Sequence, residues 1–138
     1  MNFMKFITVI SLSLFINTTT NAQCLKKSIF KIDSIGTYKD KLPIPLFVAF
    51  QNDSVVVSPN REMKNKLMVF KILSQLKCQW NDSFSEGITS YNVQLLDSPD
   101  KTKVATINLI YKNAETRYIE ILYDKSEERV LTIQEVLQ

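Results

Sequence analysis

The chain has 138 residues, a formal net charge of +3 and no histidine. That length makes one domain with a modest core, and so small a charge, with its lysines mixed among acids, leaves no footprint for nucleic acid. The missing histidine removes Ser-His-Asp and Cys-His catalysis, histidine zinc sites and histidine pH switching together.

In chain order, the N-terminus reads as an export signal. Lys5 gives a positive start, Phe6 to Ile16 an apolar core, and Thr18, Thr19, Thr20, Asn21 and Ala22 a small, polar exit. The core is too short to cross a hydrocarbon layer of about 30 Å. The expectation is a signal peptide over 1–22, cut after Ala22, and a single β-rich domain over 23–138. Such a chain is periplasmic or extracellular and meets the membrane only through its signal.

Cys24 follows at once. A bacterial lipid-attachment signal wants a small residue just before the cysteine and usually Leu three before it. Gln23 and Asn21 stand there, so an outer-membrane lipoprotein anchored through Cys24 fits less well than a free one. Export places the chain in an oxidising compartment, where paired cysteines persist as disulfides. Cys24 and Cys78 are the only two. Joining them would stabilise the fold by roughly 4 kcal/mol on the chain-entropy account and would fasten a terminus that otherwise frays.

Residues 26–42 mix short apolar pairs with Lys and Asp and predict an irregular or single-strand lead-in. Pro43 and Pro45 fit a strand start or an edge. In "LFVAFQNDSVVVS" two β-rich runs flank Asn52-Asp53, which predicts a hairpin. The next stretch is ambiguous. Ser58-Pro59 is a good helix start, and Met63, Lys64, Lys66, Leu67 and Met68 are helix formers. Yet Met68, Phe70, Ile72, Leu76, Cys78 and Trp80 alternate with polar positions, Ser74 being the gap, and a period of two is the mark of a half-buried strand. A turn or short helix near 59–66 and a long strand from about 67 to 80 are expected; the alternative is an α+β fold with a helix at about 59–76 packed on a four-stranded antiparallel sheet.

The remainder alternates clearly. Thr89, Tyr91, Val93 and Leu95 share one face; so do Ala105, Ile107, Leu109 and Tyr111, and then Arg117, Ile119, Ile121 and Tyr123. "NDSFSEG", "DSPDKT", "KNAE" and "KSEE" supply the turns, and 130–136 makes a last strand. Strands joined by short polar turns pair as antiparallel neighbours. The fold class is therefore mainly β: an antiparallel up-and-down meander of about seven strands that covers its apolar face by curling into a barrel or half-barrel.

The hairpin "FVAFQNDSVVVS", the stretch "FKILSQLKCQWND" leading into "GITSYNVQLL", and the meander "ATINLIYKN", "RYIEILYDK", "RVLTI" together resemble the small exported bacterial proteins grouped as lipocalin-like. The resemblance covers 46–136 and is one of pattern. The Gly-x-Trp signature near the first strand of such proteins is missing: Gly36 is followed by Thr37-Tyr38, and the lone Trp80 lies mid-chain. It carries over no binding residue, but it implies a barrel able to hold one small apolar ligand.

Other chemistries find little support. Gly36 and Gly87 are the only glycines, too few for a phosphate-cradling loop or a dinucleotide fingerprint. Two cysteines cannot make a four-thiolate metal site, and "DSFSEG" puts Phe84 where a calcium loop needs an oxygen. No metal or cofactor is called for. Glu120 and Asp124, on one strand face with Tyr118, are the candidates for carboxylate chemistry. At roughly 13 Å along a strand they are too far apart for a glycosidase pair, and a solvated outer face explains them. Lys26-Lys27 and Lys64, Lys66 read as solvated charge, as do Glu127-Glu128. Phe70, Trp80, Tyr91, Tyr111 and Tyr123 fall on the inward faces, where they either pack the core or line a ligand cavity with tyrosine hydroxyls as polar handles. The expected function is a non-enzymatic exported β domain that binds a small apolar ligand inside or an envelope protein at its surface. The alternatives are an inhibitor or envelope-interaction protein and, last, a carboxylate-dependent hydrolase.

Overall fold

The computed structural model describes residues 24, 27–96, 103–123 and 127–137. The expected signal peptide, the "DSPDKT" turn and Asp124 lie outside these. The described chain forms nine antiparallel strands: β1 Ser28–Gly36, β2 Lys41–Leu42, β3 Leu46–Phe50, β4 Ser54–Ser58, β5 Met68–Trp80, β6 Gly87–Leu95, β7 Val104–Tyr111, β8 Arg117–Tyr123 and β9 Glu128–Val136. Each pairs with the next in sequence, except that β1 takes β2 and β3 in turn along one edge and β9 along the other. β2 and β3 are thus two halves of one stave, parted where Pro43 and Pro45 offer no N–H to a ladder. The result is a closed eight-stave barrel, mainly β as the alternation predicts. The stave beyond the expected seven is β1, in the segment read as a lead-in.

Closure runs through Phe30↔Val136 to Gly36↔Val130, with Gln134 and then Asp33 as extra, bulged residues. The bulge at Asp33 explains why this strand was hard to read. Phe30 and Ile32 point inward, but the next inward side chain is Ile35, so strict alternation breaks. The interior of an eight-stave barrel is just wide enough for side chains to fill. Here Phe30, Ile32, Val48, Val57, Phe70, Val93, Ile107, Ile119, Ile121 and Leu131 fill its middle, all fully buried. Phe30 and Phe50 meet edge to face at 5.6 Å between ring centroids.

No helix forms over 59–76. Met63 and Asn65 take left-handed backbone, with φ of 59° and 58°, which no continuing right-handed helix accommodates. The Ser58 hydroxyl donates to the Lys64 carbonyl at 2.7 Å, and Asn60 Oδ1 accepts from the Lys64 N–H at 2.7 Å. Short polar side chains thus divert the backbone that helix propensity would have coiled. β5 then begins at Met68.

β5 carries two bulges, at Leu73 and Leu76, against an unbroken β6. Its inward set is Phe70, Ile72, Gln75, Cys78 and Trp80, opposite Leu95, Val93, Tyr91, Thr89 and Gly87. The expected inward position of Leu76 is therefore corrected: Leu76 is exposed, as is Leu73. Bulges bend a strand and tighten its twist. β4 pairs with β5 only as far as Ser54↔Lys71, so β5 beyond Ile72 has β6 as its only strand neighbour among the described residues and overhangs one end of the barrel.

Since Phe70 is fully buried at mid-barrel, replacing it by alanine is expected to lower the unfolding free energy by about 3–5 kcal/mol, read as a lowered urea midpoint with the slope unchanged.

Candidate ligand-binding site

The two ends of the barrel differ. At one end Met68, Ile72, Leu95 and Tyr123 pack on the core, and the Tyr123 hydroxyl reaches the Met68 sulfur at 3.5 Å. At the other, below the β5–β6 overhang, a cavity of about 330 Å³ remains open. That is near the lower bound of small-molecule pockets, about 300–1,000 Å³, and is room for one small ligand.

The disulfide builds one wall. Cys24 and Cys78 are bonded, with Cα atoms 6.0 Å apart across a sequence separation of 54. The bond draws the chain start against the inward face of β5. There the Tyr91 hydroxyl donates to the Cys24 carbonyl at 2.5 Å. Trp80 Nε1 donates to Thr89 Oγ1 at 2.7 Å, and Thr89 contacts the Cys24 sulfur at 3.7 Å. The polar atoms named in this wall are thus mutually satisfied.

The next part of the wall is aromatic. Trp80 meets Tyr111 edge to face at 5.0 Å and Phe84 in a tilted pair at 6.5 Å. The indole lies across Gly87, its cross-strand partner; a Cβ there would come within 2.5 Å of Trp80 Cδ2. Only glycine allows that approach. Phe84 hangs from the tip of the β5–β6 hairpin in left-handed backbone, φ 56°. The tip is set by Asn81, whose Oδ1 accepts from the N–H groups of Ser85 and Glu86 at 3.0 and 3.1 Å. Phe30, Phe50 and Leu109 form the floor, and Lys27, Ser28 and Val136 stand at the rim.

Of the five aromatics singled out in the sequence, Trp80, Tyr91 and Tyr111 come together around this cavity. Phe70 lies deeper, enclosed in the core. Tyr123 sits at the far end, beside a separate shallow hollow, with Lys103 Nζ 4.7 Å above its ring. Phe84 and Lys27 are wall residues that the sequence reading assigned no site role. Loops carry no periodicity that would reveal the first, and a lysine at a strand start resembles any solvated lysine.

Glu120 serves the outer face. Ser90, Asn108 and Glu120 are consecutive partners across β6, β7 and β8. The Ser90 hydroxyl donates to Asn108 Oδ1 at 2.5 Å, Asn108 Nδ2 donates to Glu120 Oε1 at 2.7 Å, and the Tyr38 hydroxyl donates to Glu120 Oε2. Tyr38 also packs edge to face on Tyr118 at 5.7 Å. The ladder straps the Thr37–Asp40 turn to the barrel wall. Among the described residues no group of three or more Cys, Asp or Glu could hold a metal ion.

Burial pushes the Tyr91 phenol above its ordinary range. It does the same to Tyr111, where the neighbouring Arg117 guanidinium pulls back in part, and to Tyr123, where Arg129 opposes it. These phenols stay protonated at neutral pH; Tyr91 donates to the Cys24 carbonyl and Tyr123 to the Met68 sulfur.

No family model, curated protein or solved structure matches this chain.

Two outcomes follow from this geometry. Replacing both cysteines by serine is expected to cost about 4 kcal/mol of stability in chemical denaturation, the loop-closure value for such a span. A phenol whose folded pKa lies above its unfolded one contributes stability below about pH 10 that is lost as pH rises toward the folded value. Tyrosinate absorbance should accordingly rise later in the folded protein than in urea, and the melting temperature should fall above that pH.

Proposed function

We propose that the protein is an exported, non-enzymatic binding protein whose open barrel end takes one small, largely apolar molecule. The single observation that carries this reading is the 330 Å³ cavity walled by Trp80, Phe84, Tyr91 and Tyr111 over a filled barrel. Apolar, aromatic walls with a few placed hydroxyls are what small-molecule sites are made of. Export is supported by the charge, apolar core and small-residue exit before Cys24, and by the disulfide, which persists in oxidising compartments. A non-catalytic role is supported by the missing histidine and by the engagement of Glu120 in the outer-face ladder.

A surface partner is the second reading, favoured by the part of β5 beyond Ile72, whose far edge lacks a strand neighbour among the described residues. Such an edge can take an added strand from another chain.

Trp80 is the only tryptophan, so its fluorescence reports directly on the cavity. Titration with a neutral hydrophobic dye should change that emission and saturate at one equivalent; emission indifferent to every apolar probe would sink the proposal. Phe84→Gly separates binding from folding. It removes an aromatic contact worth about 0.5–1.5 kcal/mol, so dye affinity should fall roughly two- to tenfold. It also relieves a left-handed backbone that costs a non-glycine residue about 1 kcal/mol or more, so the melting temperature should hold or rise.

A further inference from the structure

We infer that the open edge of β5 takes an added strand from another protein, an extended segment whose outward face carries carboxylates. This rests on the second, surface-partner reading and names the partner's chemistry. On the β4 side, β5 stays paired only as far as Ile72, whose N–H donates to the Asp53 carbonyl at 2.8 Å. The next five residues, Leu73 to Lys77, are all exposed, although β6 is laddered to them on the other side. They form the middle of a 13-residue strand, and they include Gln75, whose side chain faces inward. A strand added antiparallel to β5 would continue the line that β4 leaves at Ser54, end to end with it, as β2 and β3 already share one stave. Five residues of new ladder span about 16 Å, an ordinary strand length.

The side chains along this edge say which strand fits. Native proteins blunt open edges with lysines and bulges, and this edge has Lys77 and two bulges. Yet its bulged residues are Leu73 and Leu76, both exposed, where an edge built only to repel would carry polar groups. Leucines that attract and lysines that discriminate together select a partner. Lys71 and Lys77 face outward, opposite Gln94 and Ser90. No carboxylate occurs on β4, β5 or β6, so acids on an incoming strand meet these lysines without competition from the strands beside them. Asp53 stands at the Ser54 end of the line, so the incoming acids belong further along, toward Lys77. Opposite charges across a ladder stabilise it and like charges oppose it. A second copy offering the same edge would bring its own lysines and no acid, and is refused. The backbone ladder supplies the affinity, and the charge supplies the choice.

The test uses three labelled, end-blocked peptides of about seven residues on the full chain at low salt. One alternates glutamate with valine, one alternates lysine with valine, and the third is the glutamate peptide with every backbone N–H methylated. Binding is read by fluorescence anisotropy and by amide hydrogen exchange. The glutamate peptide is expected to bind about tenfold more tightly than the lysine peptide, to slow exchange over Leu73–Lys77, and to leave β8 unchanged. The methylated peptide should do neither. Lys77→Glu, at an exposed position, should fold as the parent does and shift the preference toward the lysine peptide by about fivefold or more. Equal affinity for the two charged peptides, or an unaltered preference in Lys77→Glu, would overturn the acidic partner while leaving a surface partner standing. Equal binding of the methylated peptide would overturn strand addition. A dimer in sedimentation with Leu73–Lys77 protected would give the edge to a second copy and overturn the inference. A monomer that takes up no peptide would bring down the surface-partner reading itself, and the dye titration of the cavity stands apart from all of these.

Discussion

The pairing of β1 with β9 is the constraint on which the rest depends. It joins the first and last strands into a ring and removes the open sheet edges that a seven- or eight-stranded meander would otherwise expose. Once the ring is closed, its stave number sets its width, and its width sets what the interior can hold. With eight staves there is space for Phe30, Phe70 and a layer of branched aliphatics, and little more. The two bulges in the closing pair, at Asp33 and Gln134, are the local adjustments that let the ends meet in register. A cavity can then survive only where the layers of inward side chains run out, at an end.

Why one end and not the other follows from β5. Its partner β4 stops early, so beyond Ile72 the bulged β5 is held from one side, by β6, which is itself laddered to β7. Left alone, the far edge of β5 would be loosely held. The disulfide at Cys78 and the Tyr91 and Thr89 contacts to Cys24 tie it to the chain start. The rim is thus held by a covalent bond as well as by the β6–β7 ladder. The hairpin tip keeps Phe84 in a conformation unfavourable to its own backbone, a local cost that recurs at binding sites when the surroundings over-determine the residue.

Much of this architecture was legible in the sequence, because a period of two directly reports which face of a strand is buried. The β6 to β9 meander, the hairpin turned at Asn52-Asp53 and the Cys24–Cys78 pair could all be read. β1 stayed open between a single strand and an irregular lead-in because one extra residue, Asp33, breaks the parity that makes a strand recognisable. β5 was read for partly accidental reasons: two extra residues sum to an even number, so Phe70, Ile72, Cys78 and Trp80 keep a common parity while Leu76 between them faces out. The candidate site was legible only in projection. Alternation tells which face a side chain takes, not its height along the barrel axis. Phe70, Trp80, Tyr91, Tyr111 and Tyr123 all face inward, yet Phe70 fills the middle, Tyr123 plugs one end, and only the other three meet at the opening. Height depends on register between strands, which bulges and loop lengths shift and no local pattern encodes.

The Leu137 N–H donates to the Ile29 carbonyl at 2.8 Å, and Lys27 and Val136 stand on the same rim. Both directions of chain therefore leave the barrel beside its opening. Anything joined ahead of Cys24 or after Leu137, whether a lipid, a tag or a second domain, becomes a neighbour of the cavity's mouth. For the engineer the same geometry argues that the two ends could be spliced and the chain reopened at the far side, between β8 and β9, with the doorway then left unencumbered.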